Sequence, residues 1–504
     1  MSKQNGGIIG PDNVTTGGFN GVASGVFKLG EVTKLIRESK WPEPSPFPTN
    51  ITPNSIRFND GSSDKLARTP SSNGSYVTNT WSFWVKRSAI GADQNLFNAY
   101  VSSTNKFRIR FNSNDTLQVG YFTGVWDFQI DTTRVFRDVS AFYNIVITQK
   151  ADEDSSDDRI KIYVNGVRET SFATNNRPSL NEGANVINST SATQNTGASG
   201  ANNAYFDGYM SEVVHIDGTA YQASSFGEFN SASGIWVPKS VAGLTFGTNG
   251  YYLKFANSGS LGTDSSGQSN NLTVTNLTSL DQSTDSPSNN FATLNILDDF
   301  YTSGTISEGN LTLVGGGTNA NMNATIGLDR GKWYWETRVN DWQGANNSAI
   351  GISSEAATAT NYEFYNQSGN NTGYGYYSNG SVYGNGGTPA SGYGSASGTH
   401  IIGVALDLDN NKIAWSYDGT FQGSSNPATG ANMIAITAPS SLLTGLYFPA
   451  FTQKSQTKTL DINFGNPSFA ISSGNTDGSG FGNFEYAVPT GYVSLCTNNL
   501  NLLG

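Results

Sequence analysis

Residues 142–168, FYNIVITQKADEDSSDDRIKIYVNGVR, carry the pattern that decides the fold. An alternating apolar run leads into an acidic turn, a second alternating run and an Asn-Gly pair. In the second run Ile160, Ile162 and Val164 alternate with Lys161, Tyr163 and Asn165. Successive side chains of a strand point to opposite faces, so this alternation predicts a strand with one buried face. Asn165-Gly166 supplies the two positive-φ residues that a type I′ hairpin turn requires. The arrangement recurs at residues 400–421, HIIGVALDLDNNKIAWSYDGTF, which ends near Asp418-Gly419. Two antiparallel meanders so far apart predict an all-β protein with two tandem β-sandwiches, not one large sheet.

Composition points the same way. A chain of 504 residues is long for a single core. Only 13% of its residues are charged, against about 25% in an average globular domain. Gly, Asn, Ser and Thr fill the polar positions instead, and these residues disfavour helices. The net charge of −11 argues against a nucleic-acid partner. The lone Cys496 forbids an internal disulfide framework and fits synthesis in the cytoplasm. The start, MSKQNGGIIGP, lacks the apolar core of a signal peptide. No apolar run approaches the roughly 20 residues that span a bilayer, so no membrane insertion is expected.

Working outward from the meanders divides the chain. Residues 1–50 read as an anchor segment: one short helix over 30–40, then the Pro-rich spacer PEPSPFP. In that segment Val32, Leu35, Ile36 and Trp41 form the apolar set expected to dock on a partner. Residues 51–240 read as the first sandwich, 241–290 as a polar connector, 291–475 as the second sandwich and 476–504 as a docking tail. In the first sandwich WSFWVKR (81–87) is a strand with Trp81, Phe83 and Val85 on one face. KFRIRF and TLQVGYF pair across Asn112–Asp115, and 171–203 is a long Asn/Ser/Thr-rich loop. In the second, Trp333 and Trp335 share one face of GKWYWETRV, with Tyr334 and Glu336 on the other.

The motifs SFWVKR, IKIYVNGV, YFDGYMSEVVHIDG and SSFGEFNSASGIWVPK resemble the laminin-G-like, concanavalin-A-like jelly rolls common in bacteriophage virion proteins. KWYWE, AIGIS, IIGVALDLDNNKIAWSYDG, YFPAFT and NFGNPSF, in that order, are similar to SPRY (B30.2) domains. The tail FEYAVPTGYVSLCTNNL resembles the end of phage structural proteins that carry this pair. The resemblances imply a virion structural protein of fibre or spike type, made in the host and exposed on the particle. Its expected partners are other virion proteins, through residues 1–50, and a host surface glycan or protein. A head decoration or tail protein that binds only virion subunits is the alternative. With no heptad pattern, any homo-oligomer rests on domain contacts or on the N-terminal segment.

Candidate chemistry is sparse, and no enzymatic activity is expected. His215 and His400 have no recognisable nucleophile partner. A glycosidase needs two carboxylates flanking the scissile bond, whereas Glu212 and Glu336 each stand alone, which disfavours a polysaccharide depolymerase. No cofactor is expected. Asp152, Asp154, Asp157 and Asp158 crowd the first acidic turn and are the candidate oxygen ligands for Ca²⁺. The alternative is a solvated hairpin tip. Tyr362, Tyr365, Tyr374, Tyr376, Tyr377, Tyr383 and Tyr393 are the candidate ligand contacts, because Tyr among Ser, Gly and Asn suits adaptable binding loops. A structural paving of one hairpin face is the competing reading. The 171–203 loop is a second candidate surface.

Overall fold

The computed structural model describes residues 52–297 except 232, and residues 304–503 except 318–319, 345–347, 355–363, 365–372 and 385. It also describes the backbone of 7–10 and 25–28. Both meanders form as their alternation requires. Tyr143–Lys150 pairs antiparallel with Ile160–Val164, and Ile147 lies opposite Ile162. Asn165 and Gly166 turn with φ of 47° and 79°. His400–Asp407 pairs with Lys412–Tyr417, and Asp418 and Gly419 turn with φ of 46° and 77°.

The protein is all-β, with two sandwiches. Two eight-stranded sheets build the first. One runs Val167–Arg168, Ile160–Val164, Tyr143–Lys150, Thr78–Arg87, Gly208–Asp217, Ser55–Phe58, Gln282–Ser283, with Tyr251–Leu253 added on Gly208–Asp217. It is called the joint sheet below. The other, the open sheet, runs Phe172–Asn176, Trp126–Val135, Thr116–Phe122, Asn105–Phe111, Gln94–Ser102, Thr193–Thr196, Lys65–Arg68, Thr273–Thr275. Trp81, Phe83, Ile145, Ile147 and Ile162 meet Phe97, Phe107, Ile109, Val119 and Ile130 in a dry core between them.

Two expectations change here. Residues 241–290 are not a connector: Tyr251–Leu253, Thr273–Thr275 and Gln282–Ser283 each add a strand to the first sandwich. The 171–203 stretch is not simply a loop, since it contains Phe172–Asn176 and Thr193–Thr196. Short strands built from Thr, Asn and Gln show no apolar alternation; the backbone pairing they complete places them. In the N-terminal segment Gly7–Gly10 pairs with Gly25–Lys28. The expected helix and the docking residues Val32, Leu35, Ile36 and Trp41 lie outside the described residues.

The second sandwich joins an eight-stranded and a six-stranded sheet. Lys332–Val339 is covered on both faces. Trp333 and Trp335 enter the core. Tyr334 packs 5.2 Å from the ring of Phe484, and Glu336 accepts hydrogen bonds from the backbone amides of Glu485 at 2.9 Å and Tyr486 at 2.8 Å. The tail therefore docks on its own sandwich, and Val493 bridges Trp333.

The two sandwiches meet around a buried ammonium. Lys86 Nζ donates to Asp285 Oδ2 at 2.9 Å, Asn290 Oδ1 at 2.8 Å and the Phe291 carbonyl at 2.9 Å. Both partners of the ion pair are sealed from water. Beside it Arg57 reaches the Leu280 carbonyl at 2.8 Å and lies 3.5 Å from Glu308, while the Tyr209 hydroxyl donates to the Gly309 carbonyl at 2.9 Å. Removing one partner of a buried pair strands the other charge. Asp285→Asn is therefore expected to cost roughly 3–5 kcal/mol of stability, read as a lower denaturation midpoint. A midpoint unchanged from wild type would contradict this.

Asp207 lies at the edge of the same joint. Burial, then the charges of Asp60, Glu308 and Asp64, pushes its carboxyl from 3.8 up to about 8. The folded state therefore keeps a proton that the unfolded state releases, and stability is lost as pH rises through that window. Asp207→Asn is expected to match the wild type near pH 4, to gain on it as pH rises from there to about 8, and to melt above it at pH 9. Parallel pH profiles of the two melting temperatures would refute the assignment.

Candidate functional site

The structure redistributes the tyrosine candidates. Tyr374 and Tyr376 point into the second core. The Thr437 amide donates to the Tyr374 hydroxyl at 3.0 Å, and Tyr376 packs 5.1 Å from Trp342 while its hydroxyl donates to the Gly394 carbonyl. These two are core residues, not ligand contacts, because the 373–377 strand buries its even-numbered side chains. Tyr377 and Tyr383 emerge on the other face, half-buried and edge to face at 5.8 Å. The competing paving reading therefore holds for Tyr374 and Tyr376, while Tyr383 lies on the opposite face. Tyr393 leans on Tyr376 at 5.5 Å. Tyr362 and Tyr365 lie outside the described residues.

The acidic turn does not gather ligands for Ca²⁺. Asp152 pairs with Lys150 at 3.7 Å, Asp157 with Arg177 at 3.7 Å, and Asp158 with Arg168 at 2.9 Å and Lys161 at 3.5 Å. Asp154 contributes its carbonyl to Arg159 at 2.9 Å. Among the described residues no cluster of three or more acids, histidines or cysteines is arranged to hold a metal. Like charges in one turn are better separated onto cations than left converging without an ion.

The histidines and lone glutamates are built into the scaffold. His215 is fully buried and stacked on Trp81 at 5.2 Å, and among the described residues neither ring nitrogen has a hydrogen-bond partner. Burial, then the nearby charge of Arg68, lowers it to about 3. His400 Nδ1 lies 2.8 Å from Asp418 and steadies the second turn. Glu212 is buried against the Tyr252 hydroxyl on a bulge with φ of 50°, and desolvation raises it to about 7.

The first sandwich carries a cleft of about 380 Å³ at one rim. The Thr116–Phe122 and Trp126–Val135 strands place Tyr121 opposite Phe128 at its floor, with ring centroids 6.1 Å apart. The Tyr121 hydroxyl donates to Asn185 Oδ1 at 2.6 Å. Tyr76, which is 44% exposed, forms one wall, and residues 178–185 form the other. Asn181, Glu182, Asn185, Asp127 and Thr123 supply polar groups around the mouth. Aromatic walls with convergent amides and carboxylates suit a polyhydroxylated ligand, whose apolar ring faces stack while its hydroxyls exchange hydrogen bonds.

The acidic turn positions this wall. Arg159 donates to the carbonyls of Glu153 at 2.9 Å, Asp154 at 2.9 Å and Pro178 at 3.0 Å, so it ties the turn to the 178–185 loop. The Asn181 amide donates to the Ala151 carbonyl at 2.8 Å. Gly183 passes so close to the Tyr76 carbonyl that a Cβ would stand 1.9 Å from that oxygen. The cleft was hard to find in sequence because its walls come from three separate stretches. Its one local signal was the polar 171–203 run.

Residues 60–222 match the family described as the Concanavalin A-like lectin/glucanases superfamily, and residues 332–467 match the SPRY domain. The first sandwich is concanavalin-A-like and the second is SPRY. No curated protein matches the chain. Among solved structures, the SPRY domain of human HERC1 is 14% identical, with 34% of this chain and 96% of that one covered and a TM-score of 0.26. The TRIM65 PSpry domain is also 14% identical, covering 34% and 89% with a TM-score of 0.26. Domain 4 of AbnA, an extracellular arabinanase from Geobacillus stearothermophilus in complex with arabinotriose, is 17% identical, covering 29% and 64% with a TM-score of 0.23.

Gly183→Ala must displace the Tyr76 backbone and is expected to destabilise the first sandwich by about 1–3 kcal/mol. Glu182→Ala, on an exposed side chain, is expected to change stability by no more than about 0.5 kcal/mol. Chemical denaturation of both variants checks the pair, and equal effects would contradict the packing described.

Proposed function

We propose that this protein is a non-catalytic recognition subunit of a bacteriophage particle that binds a host surface glycan through the rim cleft of its first sandwich. The observation that carries the reading is the cleft itself. Tyr76 lines it with an exposed ring above the buried Tyr121 and Phe128, and Asn181, Asn185 and Thr123 surround its mouth with hydrogen-bonding groups. The concanavalin-A-like and SPRY matches support binding of carbohydrate or protein as the general role. The virion setting is supported by the resemblance of the 204–239 and 484–500 stretches to phage structural proteins. In this reading residues 1–50 attach the chain to other virion proteins.

A glycan array probed with the whole protein tests the binding step. Saturable binding to a subset of glycans is expected, with a loss of about tenfold or more in Tyr76→Ala, since removing one well-packed aromatic contact of this kind costs above 1 kcal/mol. Binding only to purified phage heads or tails, and to no glycan or cell, would favour a purely structural virion role instead. A second reading rests on Asp127 and Glu182, which both line the cleft: a pair of carboxylates is the equipment of a glycosidase. Reducing-end assays on bound polysaccharide are expected to show no release. Release that disappears in Glu182→Gln would establish the depolymerase.

A further inference from the structure

The strand Asn105–Phe111, paired with the hairpin that floors the cleft, carries a cationic platform on the outer face of the open sheet. Period-two alternation puts Phe107, Ile109 and Phe111 in the core and Lys106, Arg108 and Arg110 on the outside. Arg108 is held rigidly. Its guanidinium lies 4.7 Å from the ring of Trp126, and its Nε donates to Gln118 Oε1 at 2.7 Å. Trp126 in turn covers Gly120, where a Cβ would stand 2.8 Å from the indole. Gln118 is fixed by Asp131 at 2.8 Å, so the platform is already organised before any ligand arrives.

The charge balance of this face is the telling feature. The chain has 39 acidic residues against 28 Lys and Arg. Arg110, Arg134, Arg137, Lys150, Lys161, Arg168 and Arg177 of this sandwich all have carboxylate partners. Lys106 and Arg108 have none among the described residues; Lys106 lies over Phe122 at 5.7 Å instead. Desolvation, then the neighbouring charge of Arg110, lowers Arg108 to about 10, while the carboxylates of Asp93, paired with Arg110, and Asp131, bound to Gln118, pull the other way without contacting it. Among the described residues the one side-chain hydrogen bond of Arg108 is that of Nε, so its terminal guanidinium nitrogens are left to a ligand. A planar, pre-oriented fork of that kind is the geometry that takes a carboxylate or sulfate with two parallel bonds. Two residues along a strand separates the Cα atoms of the two cationic residues by about 7 Å, close enough for both to reach one sugar chain.

We propose that Lys106 and Arg108 recognise an anionic group, a carboxylate or a sulfate, on the glycan that enters the adjoining cleft. This rests on the glycan-binding reading and deepens it: the ligand is an acidic polysaccharide. Its neutral part stacks in the cleft, and its charged substituent sits against the stacked Arg108. The adjacent Thr123–Val125 turn connects the two parts of the site, since Tyr121 and Phe128 face the cleft while Phe122 and Trp126 border the platform.

Calorimetric titration of the full chain with oligogalacturonate, dextran sulfate and neutral dextran tests this. One of the two anionic probes is expected to bind, and which one does so tells carboxylate from sulfate. Arg108→Gln and Lys106→Gln are each expected to weaken that binding by about tenfold or more, the loss of one charge-assisted hydrogen bond. Thermal melting of both variants shows whether each stays folded, and Lys106→Gln touches no packed ring system other than Phe122. Affinity is also expected to fall with added salt. Wild-type affinity in both folded variants, or no binding of either anionic probe, overturns the inference. If array binding to neutral glycans survives that result and still depends on Tyr76, the cleft reading stands and only the charge assignment has failed. If Tyr76→Ala also binds every glycan normally, both have failed.

Discussion

The Lys86 ammonium fixes the architecture. Three acceptors surround it, one charged, and all come from residues 285–291, where the chain leaves the first sandwich for the second. A lysine so enclosed is tolerable only while Asp285, Asn290 and the Phe291 carbonyl remain in place. The joint sheet therefore cannot turn its outer face to water at this end. Its other end is covered by the 221–252 segment, where Phe226, Val241, Phe246 and Tyr252 pack on Val146, Val214 and Ile216. Both ends of that face are committed to the protein's own stability. The outer face of the open sheet and the rim beside it carry no such burden, which is why the proposed binding site is placed there.

The same economy runs through the acidic turn. Its carboxylates are spread over Lys150, Lys161, Arg168 and Arg177, and its carbonyls hold Arg159 against Pro178. A stretch that looks like a ligand set acts as a brace for the wall of the cleft. Glu336 behaves alike in the second sandwich: it is a lone strand carboxylate that captures two tail amides and thereby seals Tyr334.

Sequence legibility followed burial. Where apolar residues alternate, as in 81–87 and 160–164, the set that shares the core face was placed correctly, because a slip of one residue would turn it away from the core; that the other face of 81–87 is buried too was not legible. Where strands are short and polar, as in 172–176, 193–196 and 273–275, nothing in the residues announced them; their place comes from the neighbours they complete. The tyrosine cluster failed for a related reason. Composition marks Tyr374, Tyr376, Tyr377 and Tyr383 alike, yet pairing with Ala349–Ser353 sends the first two inward. The cleft was illegible because Tyr76, Tyr121 and Asn185 converge only after the sheets form. Lys106, Arg108 and Arg110 were visible as an alternating row, but their missing carboxylate partners are a property of three dimensions.

The central claim is that recognition belongs to the first sandwich, at the Thr116–Val135 hairpin, and not to the tyrosine-bearing edge of the second. A structure of the protein soaked with a fragment of an acidic polysaccharide that it binds decides it most directly. Sugar density is expected between Tyr76 and Asn185, extending toward Arg108. Density against Tyr377 and Tyr383, with the cleft empty, would contradict the account.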